Sequence, residues 1–351
     1  MTETAQLDAI LHGAAFATLN DKENSGYSAR AFLRVTGADA TRWLNGMVTN
    51  NIAALAPGEG NYNFLLNAQG RIQGDCTIYR EPGDGPATFL LETGNWQLET
   101  VHKTLDHFII MDDVELTREI TLVHDKAAMP VGIVLLGEKA PDALAAAMMT
   151  TNEFPLTETL KLAMITPATQ NGKHPSWILT PPISSVPYFE IWSADAKDLS
   201  DISAWLGQKG ATSVSVETLE AFRIYSGTPR YGTDIRDKDL PQETGQTHAL
   251  HFSKGCYLGQ EIVERIRSRG QVHRQFTQFT LTGSLPELPA TLEANGKPAG
   301  ELTSAAQIGD TIYALGYARR EALYTHQPLT YPGGTASPTK NQQPTTENQH
   351  G

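Results

Sequence analysis

Cysteine is scarce in this chain: Cys76 and Cys256 are the two it has in 351 residues. Two thiols in separate stretches do not suggest a disulfide framework, and a reducing cytoplasm is the natural expectation. Nor can they supply the four thiolates of an iron–sulfur or structural zinc site, so any cluster chemistry must draw ligands from a partner. No apolar run is long enough to span a bilayer, and residues 1–26 carry neither a signal peptide pattern nor an arginine-rich targeting segment. A Gly-rich phosphate loop, a Gly-x-Ser-x-Gly elbow and a His-x-x-x-His pair are also missing. His248 and His251 are close, but their spacing beside a predicted helix is weak grounds for a metal site. Cations are outnumbered, 27 Lys and Arg against 39 Asp and Glu, for a net charge of −12. This excludes a general electrostatic grip on nucleic acid, so neither nucleic acid nor membrane is expected as a direct partner.

What is present is enough apolar sequence for two or three cores. Strands and helices mix without strict β-α-β repetition, which predicts α+β domains. A strand at 31–36 leads through Gly37 to a short helix with Trp43 and Leu44 facing inward. Asn61–Leu66 and Arg71–Tyr79 read as strands joined by the turn Asn67-Ala68-Gln69-Gly70. On the second strand Ile72, Gly74, Cys76 and Ile78 share one face, and Gln73, Asp75 and Thr77 the other. Helices are predicted over 95–108, 141–149 and 216–225. Strands are predicted over 116–124, 131–136, 177–179 and 188–192. The boundaries that follow are an N-terminal α+β domain (1–115), a second α+β domain (116–274), a small C-terminal β-barrel (275–331) and a disordered tail (332–351). Residues 1–26 are polar and expected to be poorly anchored.

The most informative stretch is Lys254-Gly255-Cys256-Tyr257-Leu258-Gly259-Gln260-Glu261. Leu258, Ile262 and Ile266 recur at four-residue spacing and Gly270 is a plausible stop, so the stretch reads as a helix start. Cys256 then falls in or just before the first turn, where free backbone N–H groups and the helix dipole favour a thiolate. Lys254 pushes the same way, and a thiol pKa below the usual value is expected. Cys256, Gln260, Glu264 and Arg267 fall on one helical face. The plainer alternative is a packing cysteine used as a small hydrophobe. Lys254, Arg265, Arg267, Arg269 and Arg274 outnumber Glu261 and Glu264, giving a local basic patch or a solvated helix face.

Lys-Gly-Cys-Tyr-x-Gly-Gln-Glu resembles the signature of the YgfZ family, folate-binding proteins related to the glycine cleavage T-protein (aminomethyltransferase). Phe222–Asp234 with Leu240–Glu243, Phe32–Ala40, Asn61–Arg71, Gly296–Ser304 and Ala314–Arg319 are similar to other family segments, so the resemblance spans roughly residues 27–331. It implies a T-protein-like α+β multi-domain fold around a central folate cavity, closed by a C-terminal β-barrel. It implies tetrahydrofolate or a derivative as cofactor, iron–sulfur enzymes or cluster-assembly proteins as partners, and an accessory role for iron–sulfur enzymes, a tRNA-thiolating one among them. Cys256 becomes the catalytic candidate. Tyr62, Asn63, Asp75, Arg223, Tyr225, Arg230 and Glu243, with Lys254, Tyr257, Gln260, Glu261 and Arg265 of the motif, become cofactor-binding candidates. The basic patch would suit a folate's glutamate tail. Two T-protein carboxylates are not matched: Gly74 stands where the first acid of a pair would be, and Tyr225 where a pterin-binding glutamate would be. A folate-dependent aminomethyltransferase or demethylase is therefore one alternative, and a partner-binding scaffold without folate the other.

Overall fold

The computed structural model describes residues 3–19, 30–83, 85–118, 131–147, 160–165, 176–180, 185–193, 196–270, 272–325 and 328–339. The chain divides into two compact units, residues 1–219 with 246–264, and residues 220–245 with 265–351. The first unit takes in the whole of the expected first domain and residues 116–219 and 246–264 of the second, the motif among them, while the barrel unit takes in residues 220–245 and 265–274 of the second.

The first unit contains α1 (Glu3–His12), β1 (Ala15–Leu19), β2 (Arg30–Thr36), α2 (Ala40–Met47), β3 (Glu59–Leu66), β4 (Ile72–Arg80), β5 (Phe89–Gly94), α3 (Leu98–Asp106) and β6 (Glu115–Arg118). It continues through β7 (Val131–Leu136), α4 (Ala140–Ala147), β8 (Leu160–Ile165), β9 (Ser176–Leu179), β10 (Tyr188–Ser193), α5 (Ala196–Gln208) and β11 (Thr212–Ser213). Among the described residues its eleven strands run β11-β1-β7-β10-β9-β8-β3-β4-β5-β2-β6. α6 (Val216–Tyr225) and α7 (Gln260–Arg269) each begin in this unit and end in the other. The expected extensions of β6 to His124 and of α4 to Met149 lie outside the described residues.

The hairpin forms as its turn chemistry dictates. The Asn67 side-chain oxygen accepts the N–H of Gln69 and of Arg71, both at 3.0 Å, and Gly70 takes φ +68. Residues 3–19 are better anchored than the composition of this end suggests: Leu7 and Ile10 of α1 are buried, and β1 pairs with β7 and β11; residues 1–2 and 20–26 lie outside the described residues. The apolar Ala15–Leu19 run recruits this end into the sheet.

Period-two alternation sorts the strands into two faces. Leu33, Val35, Cys76, Ile78, Phe89 and Leu91 pack with Trp43, Leu44, Val101 and Leu105 of α2 and α3. Ile133, Leu135, Phe189 and Ile191 pack with Leu144, Leu199, Ile202 and Leu206 of α4 and α5. The faces turned away from the helices meet. Phe32 on β2 sits edge-on to Trp192 on β10 at 5.7 Å, and Arg30 reaches Glu190 at 3.6 Å. Thus β2 and β10, far apart in ladder order, lie side to side across an inner layer.

In the second unit β12 (Arg274–Gly283), β13 (Ala290–Ala294), β14 (Lys297–Ile308), β15 (Thr311–Arg319), β16 (Leu329–Tyr331) and β17 (Gly334–Pro338) close a barrel, with α8 (Arg320–Tyr324) after β15. Phe279, Leu292, Leu302, Ala314 and Leu329 fill it. The expected disordered tail is therefore corrected at its start. β17 pairs with both β12 and β16, and Ala336 is buried. Small residues with little apolar content are recruited by backbone pairing at the barrel seam; residues 340–351 lie outside the described residues. Truncation after Pro332 should lower the melting temperature by roughly 5–10 °C more than truncation after Thr339, about 2–3 kcal/mol. Equal melting temperatures for the two would show that β17 adds nothing to closure.

Candidate functional site

The inner layer of the first unit carries a concentration of buried polar groups. Tyr62 on β3 donates its hydroxyl to Asp75 on β4 at 2.6 Å, and the Gln97 amide donates to the other Asp75 oxygen at 2.6 Å. Tyr62 also stacks against His248, ring centres 5.5 Å apart. Arg30 pairs with Glu92 on β5 at 3.1 Å and approaches Glu190, which accepts the Trp192 indole N–H at 3.0 Å. Two buried carboxyl groups, Glu92 and Glu190, thus share one half-buried guanidinium.

The electrostatics follow. Burial pushes Glu92 up to about 8, with Glu190 adding to the effect. Burial also raises Asp75, opposed by the Tyr62 and Gln97 hydrogen bonds and by the charge of Arg30. Burial lowers the His248 pKa, which favours the neutral ring. Sequence reading found Tyr62 and Asp75 but missed Arg30, Glu92 and Glu190. The available signal was a charged residue inside an apolar strand, as in Phe89-Leu-Leu-Glu92 and Tyr188-Phe-Glu190, where solvent exposure cannot explain the charge.

The motif folds differently from the expectation. α7 begins at Gln260, so Cys256 lies four residues before it in an exposed loop and shares no helical face with Glu264 or Arg267. The positive φ of Gly259, +82, breaks the chain out of helical geometry just before Gln260. The helix-dipole reason for a thiolate at Cys256 is lost with that geometry.

The loop is nevertheless tightly built. Lys254 is 9% exposed and its ammonium donates to Val48 O at 2.7 Å and Asn50 O at 2.5 Å, over the face of Tyr257 at 5.1 Å. Burial lowers its pKa to about 7, while the two carbonyls and the ring face favour the charged form. Lys254 therefore latches the loop to the end of α2, and it is not a cation presented to Cys256. Tyr257 is buried and donates its N–H to the Gln260 side chain at 3.2 Å, and Leu258 N–H donates to Gly46 O at 3.1 Å. A Cβ on Gly259 would meet Asn67 O at 2.6 Å and Gly70 Cα at 3.2 Å, so the β3–β4 turn packs backbone to backbone on the loop. Thr49 donates its hydroxyl to Ala249 O at 2.7 Å, and Asn50 donates to Tyr62 O and His248 O. Asn63 is buried and braces Asn50 N and Asn61. Glu261, like Cys256, is exposed.

The remaining candidates belong to the second unit. Arg223 is buried and not solvated: its guanidinium donates to Glu220, Thr228 O, Asp234 and Ser304 at 2.6–2.9 Å, which engages all its donors. Arg230 bonds Glu220, and Glu243 accepts from Leu240 N and Arg274. Tyr225 lies edge-on to Tyr313, and Arg265 is exposed on α7. The expected basic patch is reduced, because Lys254 is buried and Arg274 pairs with Asp239 and Glu243. Among the described residues, no group of His, Cys, Asp or Glu could hold a metal ion, and no helix is long and apolar enough to cross a membrane.

Helix-backed sheet halves carrying a buried polar layer, with a separate six-stranded barrel, define a GcvT-like protein. Residues 27–254 match the GCVT N-terminal domain family, and the chain belongs to it as a YgfZ-type member. It is 27% identical over 280 residues to the mitochondrial iron–sulfur cluster assembly factor IBA57 homolog of Neurospora crassa, covering 75% of this chain and 55% of that one. The chain thus spans just over half the length of that relative. It is 25% identical over 331 residues to the tRNA-modifying protein YgfZ of Yersinia enterocolitica, covering 86% and 90% of the two. The fold matches the glycine cleavage system aminomethyltransferase T of Bartonella henselae with a TM-score of 0.76 at 18% identity, covering 96% and 88%.

Proposed function

We propose that this chain is a reduced-folate-binding accessory factor that supports assembly or repair of iron–sulfur enzymes in the cytoplasm, tRNA-thiolating ones among them, and that it acts through Cys256. The names of its relatives point to the client class. The observation that carries the reading is the loop: Lys254, Tyr257, Leu258, Gly259 and Gln260 are each fixed by a specific contact, while Cys256 stands exposed. A chain that spends five anchors on one loop to leave a thiol outward is built to present that thiol.

Tetrahydrofolate suits the donor set of the inner layer. A reduced pterin offers ring N–H and amino donors, and the half-buried Asp75 carboxyl keeps acceptor capacity on both oxygens beside the Tyr62–His248 stack. Aminomethyl transfer fits less well, because Gly74, where the resemblance expects an acid, has Val101 and Gln97 within 3.3 Å of any added Cβ.

Calorimetric titration of tetrahydrofolate into wild type, Asp75→Ala and Cys256→Ser tests both parts. Wild type should bind in the micromolar range. Asp75→Ala should bind at least about tenfold more weakly, from a loss of about 1.5–3 kcal/mol for a charged hydrogen-bond partner. Cys256→Ser should bind almost as well as wild type yet fail to support iron–sulfur enzymes in cells. A wild type that ignores tetrahydrofolate sinks the folate half, and full complementation by Cys256→Ser sinks the thiol half.

A further inference from the structure

The loop that follows α3 carries two neighbouring apolar side chains in the open: Ile110 is 81% exposed and Met111 94%. A single exposed apolar residue is ordinary; two in a row, held outward from both sides, are not. Phe108 and Ile109 pack on the core beneath α2 and α3, and the Trp43 indole N–H donates to Phe108 O at 3.2 Å. Beyond the apex, the Arg42 guanidinium donates to Asp112 at 2.6 Å and pairs with Asp39 at 3.0 Å. Asp39 N–H donates to Asp113 O at 3.1 Å, and Asp113 N–H donates back to the Asp39 carboxylate at 2.9 Å. Gly37, at φ +115, lets the two segments pass backbone to backbone, where any Cβ would collide with Asp113 O. These braces all come from α2 or the residues just before it, so both sides of the apex are fixed.

The same helix carries the thiol loop at its other end. Leu258 N–H donates to Gly46 O in the last turn of α2, and the Cys256 carbonyl lies 4.0 Å from where a Cβ on Gly46 would stand. The eight residues of α2 rise about 12 Å. A standard protein interface takes about 800 Å² from each partner, a patch roughly 30 Å across, so one partner can cover both ends. Acidic groups edge the apex: Asp106, Asp113 and Glu115 are exposed, while Arg42 is taken up by Asp39 and Asp112, and Lys103 by Glu99. Such an edge repels anionic lipid headgroups and favours Lys and Arg opposite it. We propose that Ile110 and Met111 are the docking anchor for the iron–sulfur protein that Cys256 serves: they enter an apolar pocket edged by Lys and Arg on that partner, and α2 sets the distance from anchor to thiol. This rests on the reading that the chain serves iron–sulfur proteins through Cys256.

The test removes the anchor and leaves the thiol in place. In Ile110→Ser with Met111→Ser, the melting temperature, tetrahydrofolate affinity and Cys256 alkylation rate should match wild type, because the pair buries little in the fold. Support of iron–sulfur enzymes in cells that depend on this chain should fall at least about fivefold, as it does when an interface loses its apolar anchors. Asp106→Lys with Glu115→Lys reverses the charged edge, should lower support in the same way, and takes the place of the first variant if that one does not fold. A benzophenone amino acid at position 111 should, on irradiation in cells, join the chain to an iron–sulfur protein identified by mass spectrometry, and the same group in place of the exposed Gln208 of α5 should not. Wild-type support by both variants overturns the proposal. So does an adduct between two copies of this chain, with a dimer in ultracentrifugation that the serine variant loses, or binding to phosphatidylserine vesicles that it loses. Full complementation by Cys256→Ser removes the thiol reading alone, while the adduct at position 111 and the serine variant still decide whether this patch docks an iron–sulfur protein.

Discussion

Asp234→Ala should destabilise the barrel-bearing unit by about 3–5 kcal/mol, a drop of roughly 10 °C in its melting temperature. Asp234 is fully buried and accepts from Arg223 at 2.6 Å, Arg230 N at 3.0 Å, Thr303 at 2.5 Å and Ser304 at 2.7 Å. Truncation leaves the buried Arg223 charge without its closest anion and strands the Ser304 hydroxyl donor, while the Thr303 hydroxyl falls back on the Leu315 carbonyl at 3.2 Å. Ser304 and Thr303 belong to β14, so the loss falls on the bond between residues 220–245 and the barrel wall within that unit. Asp234→Asn keeps the shape and part of the bonding and should cost less. Calorimetric unfolding of both variants checks this. A loss under about 1 kcal/mol for Asp234→Ala would mean that water or Glu220 takes over the charge.

Gly259→Val should leave the fold and tetrahydrofolate affinity largely in place but remove activity toward iron–sulfur enzymes in cells. The substitution demands φ near +82 of a β-branched residue and drives a Cβ to 2.6 Å from Asn67 O. Relief comes only by lifting the loop off the β3–β4 turn, which breaks the Leu258–Gly46 bond and moves Cys256. The alkylation rates should register it. In wild type the exposed Cys256 reacts well ahead of Cys76, which is 2% exposed and whose thiol burial pushes up. In Gly259→Val the Cys256 rate should change while the Cys76 rate stays. Wild-type complementation by Gly259→Val would show that the placement of the loop does not matter.

Much of the fold was legible because it rests on local rules. The Asn67–Gly70 turn, the faces of β4 and the helix ending at Tyr225 each follow from turn chemistry or periodicity within about ten residues. Where the answer depended on distant partners, local reading failed. β1 looked like part of a polar tail because its pairing strand β7 begins more than 100 residues later. β17 looked structureless because backbone pairing, not apolar content, holds it. The motif was read as a helix start from the spacing of Leu258 and Ile262, and a glycine with positive φ overrode that spacing. Arg30, Glu92 and Glu190 were invisible as a group because three strands separated by 62 and 98 positions bring them together.

The path of the chain has a consequence for how the protein comes into being. It passes between the two units at residues 219/220, 245/246 and 264/265. During synthesis the whole sheet of the first unit leaves the ribosome before the loop that docks on it, with 26 residues of the other unit in between. Val48 and Asn50 must therefore wait, with their carbonyls unclaimed, for Lys254 to arrive. The thiol takes up its outward station only after the scaffold beneath it exists, so a nascent or broken first unit has no Cys256 to offer.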